Sequence, residues 1–366
     1  MNVLAVIGVL ALLIFVHELG HFMAARLQGI HVNRFSIGFG PILWKYQGPE
    51  TEYALRAIPL GGFVGFPDDD PESDIPPDDR DLLRNRPVID RAIVISAGVI
   101  ANMVFAYLVF VLQFGSLGVP AVNTGVLVPE VVKNSPAELA GLKAGDGILS
   151  AGEQTFGRGD GVQRDLIKVI QSSPDTLADL TILRDRKEQL LPVTPRVNAE
   201  TGDAVIGAVL SPNYEIDESG KVVFRSASNP VELLSVAARE FQGKTQLVAS
   251  GMIGLFTNFT EMAGQVGSPV KIVEQGAGLA RDDIRTLFPF AAIISINLAI
   301  INILPLPALD GGQLAFLLIE AVRGKPLPMR LQESVMQTGI FLLLGLGVFL
   351  IIRDTTQLEV LQNLGQ

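Results

Sequence analysis

The chain has 366 residues, 48% hydrophobic and only 18% charged, with a mean hydropathy of +0.40. That balance is too apolar for a water-soluble protein of this length and points to an integral membrane protein. A net charge of −10 argues against a nucleic-acid partner, and the absence of cysteine excludes disulfides, iron–sulfur clusters and thiolate zinc sites.

Residues 2–16 carry no charge, so residues 1–26 read as a first transmembrane helix. With no basic leader and no small-residue cleavage site, this span is expected to be retained. Inside it stands His17-Glu18-Leu19-Gly20-His21. On a helix that spacing puts both imidazoles on one face, one turn apart. Two nitrogens so placed can reach one zinc ion at about 2.0–2.1 Å. Glu18 can then take a proton from the attacking water. Ionisable groups at membrane depth are costly unless partnered, which favours a functional site over a stray core histidine. The third histidine, His31, follows Gly29 in an expected loop and reads as a solvated surface residue.

Residues 26–91 hold eight Lys and Arg, so the 27–91 loop is assigned to the cytosolic side. Its runs R-F-S-I-G-F-G-P and Y-A-L-R-A-I-P-L-G-G-F-V-G-F predict short β-hairpins close to the membrane. A plain surface hairpin fits this pattern. The functional alternative is an edge strand around Gly61, Gly62 and Phe63 that pairs with an unwound substrate. Residues 68–81 are acidic and proline-rich, as in a solvated linker.

Residues 92–114 are free of charge and form a second predicted span. Gly98 and Asn102 share one face of it. Helix packing through Gly98 and a polar contact from Asn102 into a catalytic cleft are both open readings.

Residues 124–196 look soluble and extracytoplasmic. The stretch from Ser135-Pro136 to Gly145-Asp146 resembles the core of a PDZ domain, followed by a helix over 162–170 and a hairpin turning at 184–188. Gly125–Val128 is the expected edge for adding a peptide C-terminus, with simple steric gating as the alternative. Residues 197–285 read as an irregular β-rich extension, with a D-E-S-G turn near Asp217–Gly220, then surface-lying helices over 230–264.

The third apolar segment, 286–322, is interrupted by N-I-L-P-L-P-A-L-D-G-G, residues 302–312. Two prolines remove backbone donors and Gly-Gly permits a tight turn. Broken helices at membrane depth occur where they line a cavity or are buried in protein. Asp310, the only charge between Thr286 and Ile319, is a candidate third metal ligand or an N-cap for the helix that follows. Residues 334–352 form the last span, and 353–366 a tail expected to be mobile.

Taken together, H-E-L-G-H, F-S-I-G-F-G, P-L-G-G-F-V, the Gly98/Asn102 pair, the PDZ-like segment and N-x-x-P-x-P-x-L-D-G-G resemble the site-2 proteases. These are zinc intramembrane metalloproteases, and the resemblance is specifically to the bacterial regulator-of-sigma-E type with a periplasmic PDZ domain between the second and third spans. The resemblance implies a polytopic α-helical membrane protein with about four transmembrane helices, a membrane-associated β-hairpin region and an inserted extracytoplasmic PDZ (α+β) domain. It implies that His17, His21 and Asp310 hold one zinc per chain and that Glu18 activates water. It further implies that Asn102 and Asn302 hold or polarise the substrate backbone. The implied substrates are single-span membrane proteins, such as anti-sigma factors or signal-peptide remnants. The implied setting is the lipid bilayer of a bacterial cytoplasmic membrane, or less directly a plastid membrane. Three features depart from the pattern: a single PDZ unit, Gln313 after Gly312, and Val99 in the second-span motif. The rival reading is a non-catalytic membrane adaptor whose PDZ domain captures protein termini.

Overall fold

The computed structural model describes residues 2–70, 73–158, 161–198, 202–217, 222–258 and 267–356. Most of the expected D-E-S-G turn, the end of the 230–264 helical stretch and the tail beyond 356 lie outside the described residues. The chain divides into two compact units, one from Met1–Phe114 with Asn229–Gln366 and one from Gly115–Ser228.

The first unit opens with helix α1 (Asn2–Leu27). Strands β1 (Arg34–Gln47) and β2 (Glu52–Gly65) follow, then α2 (Val88–Leu117). In place of several short hairpins there is one hairpin of two 14-residue strands, bent by bulges so that each pairs twice. Residues 34–37 pair with 52–55 on one side and 62–65 on the other, while 44–47 pair with the far side of 52–55. The 62–65 stretch is therefore an outer edge. Glycines carry the bends: Gly38 and Gly61 have φ of +86° and +104°, and a side chain on either would strike Ile58 or Phe39. Phe35 fixes the sheet to α1 through edge contacts with Phe15 and Phe22, at centroid distances of 6.0 and 5.2 Å.

The second half of this unit, in chain order after the other unit's elements, has helices and no strand among its described residues. Numbering the helices of the whole chain consecutively, α3 (Pro136–Leu139) and α4 (Val162–Gln171) belong to the second unit. Helix α5 (Pro230–Thr257) and α6 (Pro269–Asp282) start alike: Asn229 and Ser268 accept the backbone N–H three residues on, and proline follows each. Gly276 of α6 lets that helix close on Val6 of α1 and Phe290. Helix α7 (Leu287–Ile303) ends where Pro305 and Pro307 remove donors, and α8 (Asp310–Arg323) begins after an extended stretch. Gly311 and Gly312 are required here, because a Cβ on either would overlap the carbonyls of residues 303–306. Helix α9 (Met329–Thr356) closes the unit, with Asp354 accepting the Ser268 N–H at 2.6 Å. Among the described residues, four helical stretches, Asn2–Leu27, Val88–Leu117, Ile284–Ile303 and Met329–Thr355, are long and apolar enough to cross a membrane.

The second unit is β-rich. Its strands are β3 (Val119–Pro120), β4 (Val122–Val131), β5 (Gly147–Ala151), β6 (Gln154–Thr155), β7 (Ala178–Arg184) and β8 (Lys187–Val193). They are followed by β9 (Arg196–Val197), β10 (Ala204–Val205), β11 (Ala208–Tyr214) and β12 (Phe224–Arg225). The main sheet runs β11-β4-β5-β7-β8, with β6 on β5. This corrects the expected edge at Gly125–Val128. Those residues lie in β4, which is flanked on both sides, because β11 comes back from the supposed irregular extension to pair with it. Among the described residues the outer strands are β11 and β8. Helix α4 buries Leu166 and Ile170, one turn apart, against Val126, Ile148, Leu180 and Ile182.

Asp146, 1% exposed, is held by Arg184 through two contacts of 2.7 and 2.5 Å, and Arg184 also donates to Gly141 O at 2.8 Å. Removing one partner of such a pair leaves a buried uncompensated charge. Arg184→Met is expected to destabilise this unit by about 3 kcal/mol. The check is limited proteolysis and thermal denaturation of the full chain, with cleavage appearing first inside residues 115–228.

Candidate active site

Helix α1 brings His17, Glu18 and His21 to one side, and the start of α8 brings Asp310. His17 Nε2 lies 3.3 Å from His21 Nε2, and Asp310 Oδ2 lies 3.3 and 3.4 Å from the two nitrogens. The three atoms form a nearly equilateral triangle. A tetrahedral zinc with ligands at about 2.0–2.1 Å needs ligand–ligand edges of about 3.3–3.4 Å. Asp310 Oδ2 is buried with no aligned hydrogen-bond donor among the described residues. A cation in the triangle would satisfy it. The donor set, two imidazoles and one carboxylate, suits zinc. On each count the residues fit the ion.

The orientation of the rings follows from their neighbours. His21 Nδ1–H donates to the Val94 carbonyl of α2 at 2.8 Å, which turns the Nε2 lone pair toward the triangle. Asn102 of α2 lies against His17 with Nδ2 3.2 Å from Nδ1. Asn302, at the end of α7, has Nδ2 3.3 Å from His17 Nε2. The small residues of α1 and α2 make this closeness possible. Gly20 faces the Ala97 carbonyl and Ala101, and Gly98 is the floor beneath the His17 and His21 rings. A Cβ at residue 98 would occupy space held by the imidazoles. Sequence pattern predicts only a helix-packing role for Gly98.

A cleft of about 730 Å³ opens from the triangle. His17, Glu18, His21 and Asp310 line it, together with Gly62 and Phe63 of the sheet edge. Glu18 packs on Gly62, where a side chain would strike the Glu18 Cγ. Gly61 lies under the Phe39 ring and serves the bend. Asn102 is fully buried, behind His17. Gln313 and Glu320 line the cleft from α8, and Arg91 does so from α2. These last two form a bidentate pair between α2 and α8, one arm of which is 3.1 Å, and both are largely buried. No sequence signal singled out Val94, whose role is a backbone carbonyl, or the Arg91–Glu320 pair, which spans 229 positions. His31 stands apart with Asp79 and Asp81; its Nε2 is 4.0 Å from Asp79, and Asp81 is taken by Arg86 at 2.7 Å.

With this geometry in hand, the chain can be set beside known proteins. A candidate zinc metalloprotease of Nostoc sp. (strain PCC 7120) is 58% identical over 363 residues, covering 98% of this chain and 97% of its own length. The chloroplastic membrane metalloprotease ARASP of Arabidopsis thaliana is 46% identical over 367 residues, covering 99% and 80%. The regulator of sigma-W protease RasP of Bacillus subtilis is 28% identical over 437 residues, covering 98% and 99%. Among solved structures, the PDZ domain of an SdrC-like protein from Listeria monocytogenes aligns with 25% of this chain and 93% of its own, at a TM-score of 0.22 and 22% identity. The sequence profile of peptidase family M50 matches residues 5–346. The chain belongs to peptidase family M50, the site-2 protease family of zinc metallopeptidases.

Proposed function

We propose that the protein is a zinc-dependent intramembrane endopeptidase that cleaves the transmembrane segments of single-span membrane proteins. The observation that carries this reading is the triangle of His17, His21 and Asp310 with Glu18 beside it in one cleft. Membrane insertion is supported by the outward faces of the long helices. Leu4 of α1 and Phe341 of α9 are 73% and 75% exposed, among many other large apolar side chains, a surface suited to lipid and not to water.

His17 and His21 through Nε2, and Asp310 through Oδ2, are the residues that would hold the zinc. Bound there, the ion supplies Lewis acidity to the water and to the scissile carbonyl. Glu18 takes the proton from the attacking water on its carboxylate and gives it to the leaving amine nitrogen. Asn302, beside His17 Nε2, is positioned to donate to the oxyanion that develops on the carbonyl. A substrate helix must unwind before its carbonyls are free, since they are otherwise paired internally. The outer edge at residues 62–65, next to Glu18, can supply replacement backbone hydrogen bonds, with Phe63 packing on the substrate chain.

The second unit is read as a PDZ domain that takes a peptide C-terminus. Among the described residues β11 is an edge strand of its sheet, α4 lies alongside it, and Gly207 at φ +74° turns the chain into the strand. Cleavage of anti-sigma factors or signal-peptide remnants, in a bacterial cytoplasmic or a plastid membrane, follows the same reading.

Three outcomes test it, using purified protein in lipid nanodiscs with a single-span substrate. Glu18→Gln is expected to keep its zinc and lose about 10²–10⁴-fold in kcat. Asp310→Ala is expected to lose both zinc and activity, as is the wild type after chelation. Gly98→Ala pushes on both rings and is expected to weaken zinc binding about tenfold or more while the helix content is retained. Full cleavage by the Glu18 variant would reject the mechanism.

A further inference from the structure

We propose that Asn102 is a positioning residue for the metal ligand His17, acting through its side-chain amide on Nδ1, and that it makes no contact with substrate. The proposal rests on the metal reading above. Three observations carry it. Asn102 has no exposed surface, so a substrate in the cleft has no path to it. Its Nδ2 is 3.2 Å from His17 Nδ1, on the side of the ring away from Asp310. Its Oδ1 is buried and has no hydrogen-bond donor among the described residues. The residue is also pinned from behind, because the hydroxyl of Ser295, itself fully buried in α7, donates to the Asn102 backbone carbonyl at 2.8 Å.

The chemistry follows from the imidazole. A histidine that gives its Nε2 lone pair to a cation carries its proton on Nδ1, and that proton needs an acceptor. For His21 the acceptor is the fixed carbonyl of Val94. For His17 it is a side chain. An amide has a donor end and an acceptor end, exchanged by a half-turn of its terminal torsion. The amide nitrogen stands 3.2 Å from Nδ1 in this structure, the arrangement in which the amide donates to an unprotonated Nδ1. With Nε2 given to the ion, the half-turn presents the free Oδ1 to Nδ1–H. Asparagine serves both states of the ring. Aspartate would serve the second alone, and an aliphatic side chain of similar size would serve neither. One ligand is thus locked by backbone, and the other is followed by a side chain that can turn with it.

The experiment measures zinc affinity of the full chain in nanodiscs by competition with a chromophoric chelator, alongside KM on a single-span substrate at saturating zinc. Asn102→Leu is expected to weaken zinc binding about 10–100-fold with little change in KM. Asn102→Asp, which keeps an acceptor at Nδ1, is expected to bind zinc within a few-fold of wild type. Wild-type zinc affinity in Asn102→Leu with a raised KM would make the residue a substrate contact and overturn the proposal. Equal loss in the Asp and Leu variants would make it a packing residue and overturn it too. If wild type and His21→Ala bind zinc alike, the metal reading itself fails, which is a different result from either. Should Asn102→Leu not fold, nitrogen-15 NMR of histidine-labelled, zinc-loaded wild type reads the same point. A hydrogen-bonded His17 Nδ1–H supports the proposal, and a free one rejects it.

Discussion

The constraint on which the structure turns is the packing of two imidazoles and a carboxylate within 3.4 Å of one another among apolar helices. Each group alone would be a liability in such surroundings. Together they form a ligand set whose spacing fits one tetrahedral cation. Much of the first unit can be understood as what permits this meeting. Gly20 and Gly98 let α1 and α2 approach until the rings lie on bare backbone. The Val94 carbonyl and Asn102 hold the far nitrogens. The Arg91–Glu320 pair ties the two helices whose relative position sets the distance from Gly98 to Asp310.

Interrupting the helix before Asp310 has a structural logic of its own. A continuous helix through 302–312 would carry every carbonyl paired and every side chain at a fixed pitch. Pro305 and Pro307 break that ladder, and Ala308 takes a φ of +71°, a costly value for a residue with a Cβ. Its N–H is met by the Met336 sulfur of α9 at 3.4 Å, a weak acceptor. Gly311 and Gly312 then let α8 begin directly against the last carbonyls of α7. The carboxylate arrives at the head of a new helix, where its negative charge is favourable. Ala308 and Asp310 from the same break line the cleft, so the carboxylate and part of the cleft wall arise from one feature.

The bent hairpin and the second unit obey a shared rule about strand edges. In the hairpin, glycines at the bends let two strands do the pairing of four, which leaves residues 62–65 as an outer edge beside Glu18. In the second unit a late segment returns to cover β4, and the edge passes to β11. In each, one of the two outer edges falls on a late segment of the chain, the other being residues 44–47 in the hairpin and β8 in the second unit.

What the sequence by itself determined was local. Charge-free runs marked the long helices to within a few residues, the His–Glu–x–x–His spacing put two rings on one face, and the Pro–x–Pro…Gly–Gly run marked the break before Asp310. Helix period, proline and glycine act within one or two turns, so they can be read from adjacent residues. What only the tertiary structure decided was partnership: Gly98 as the floor of the rings, Asn102 behind His17, the Arg91–Glu320 clamp, and β11 in place of β4 at the sheet edge. Those depend on segments separated by tens to hundreds of residues. A β-strand reveals which of its faces is apolar, but not which strand lies on either side of it. A buried amide likewise has a meaning only once the group it faces is in place.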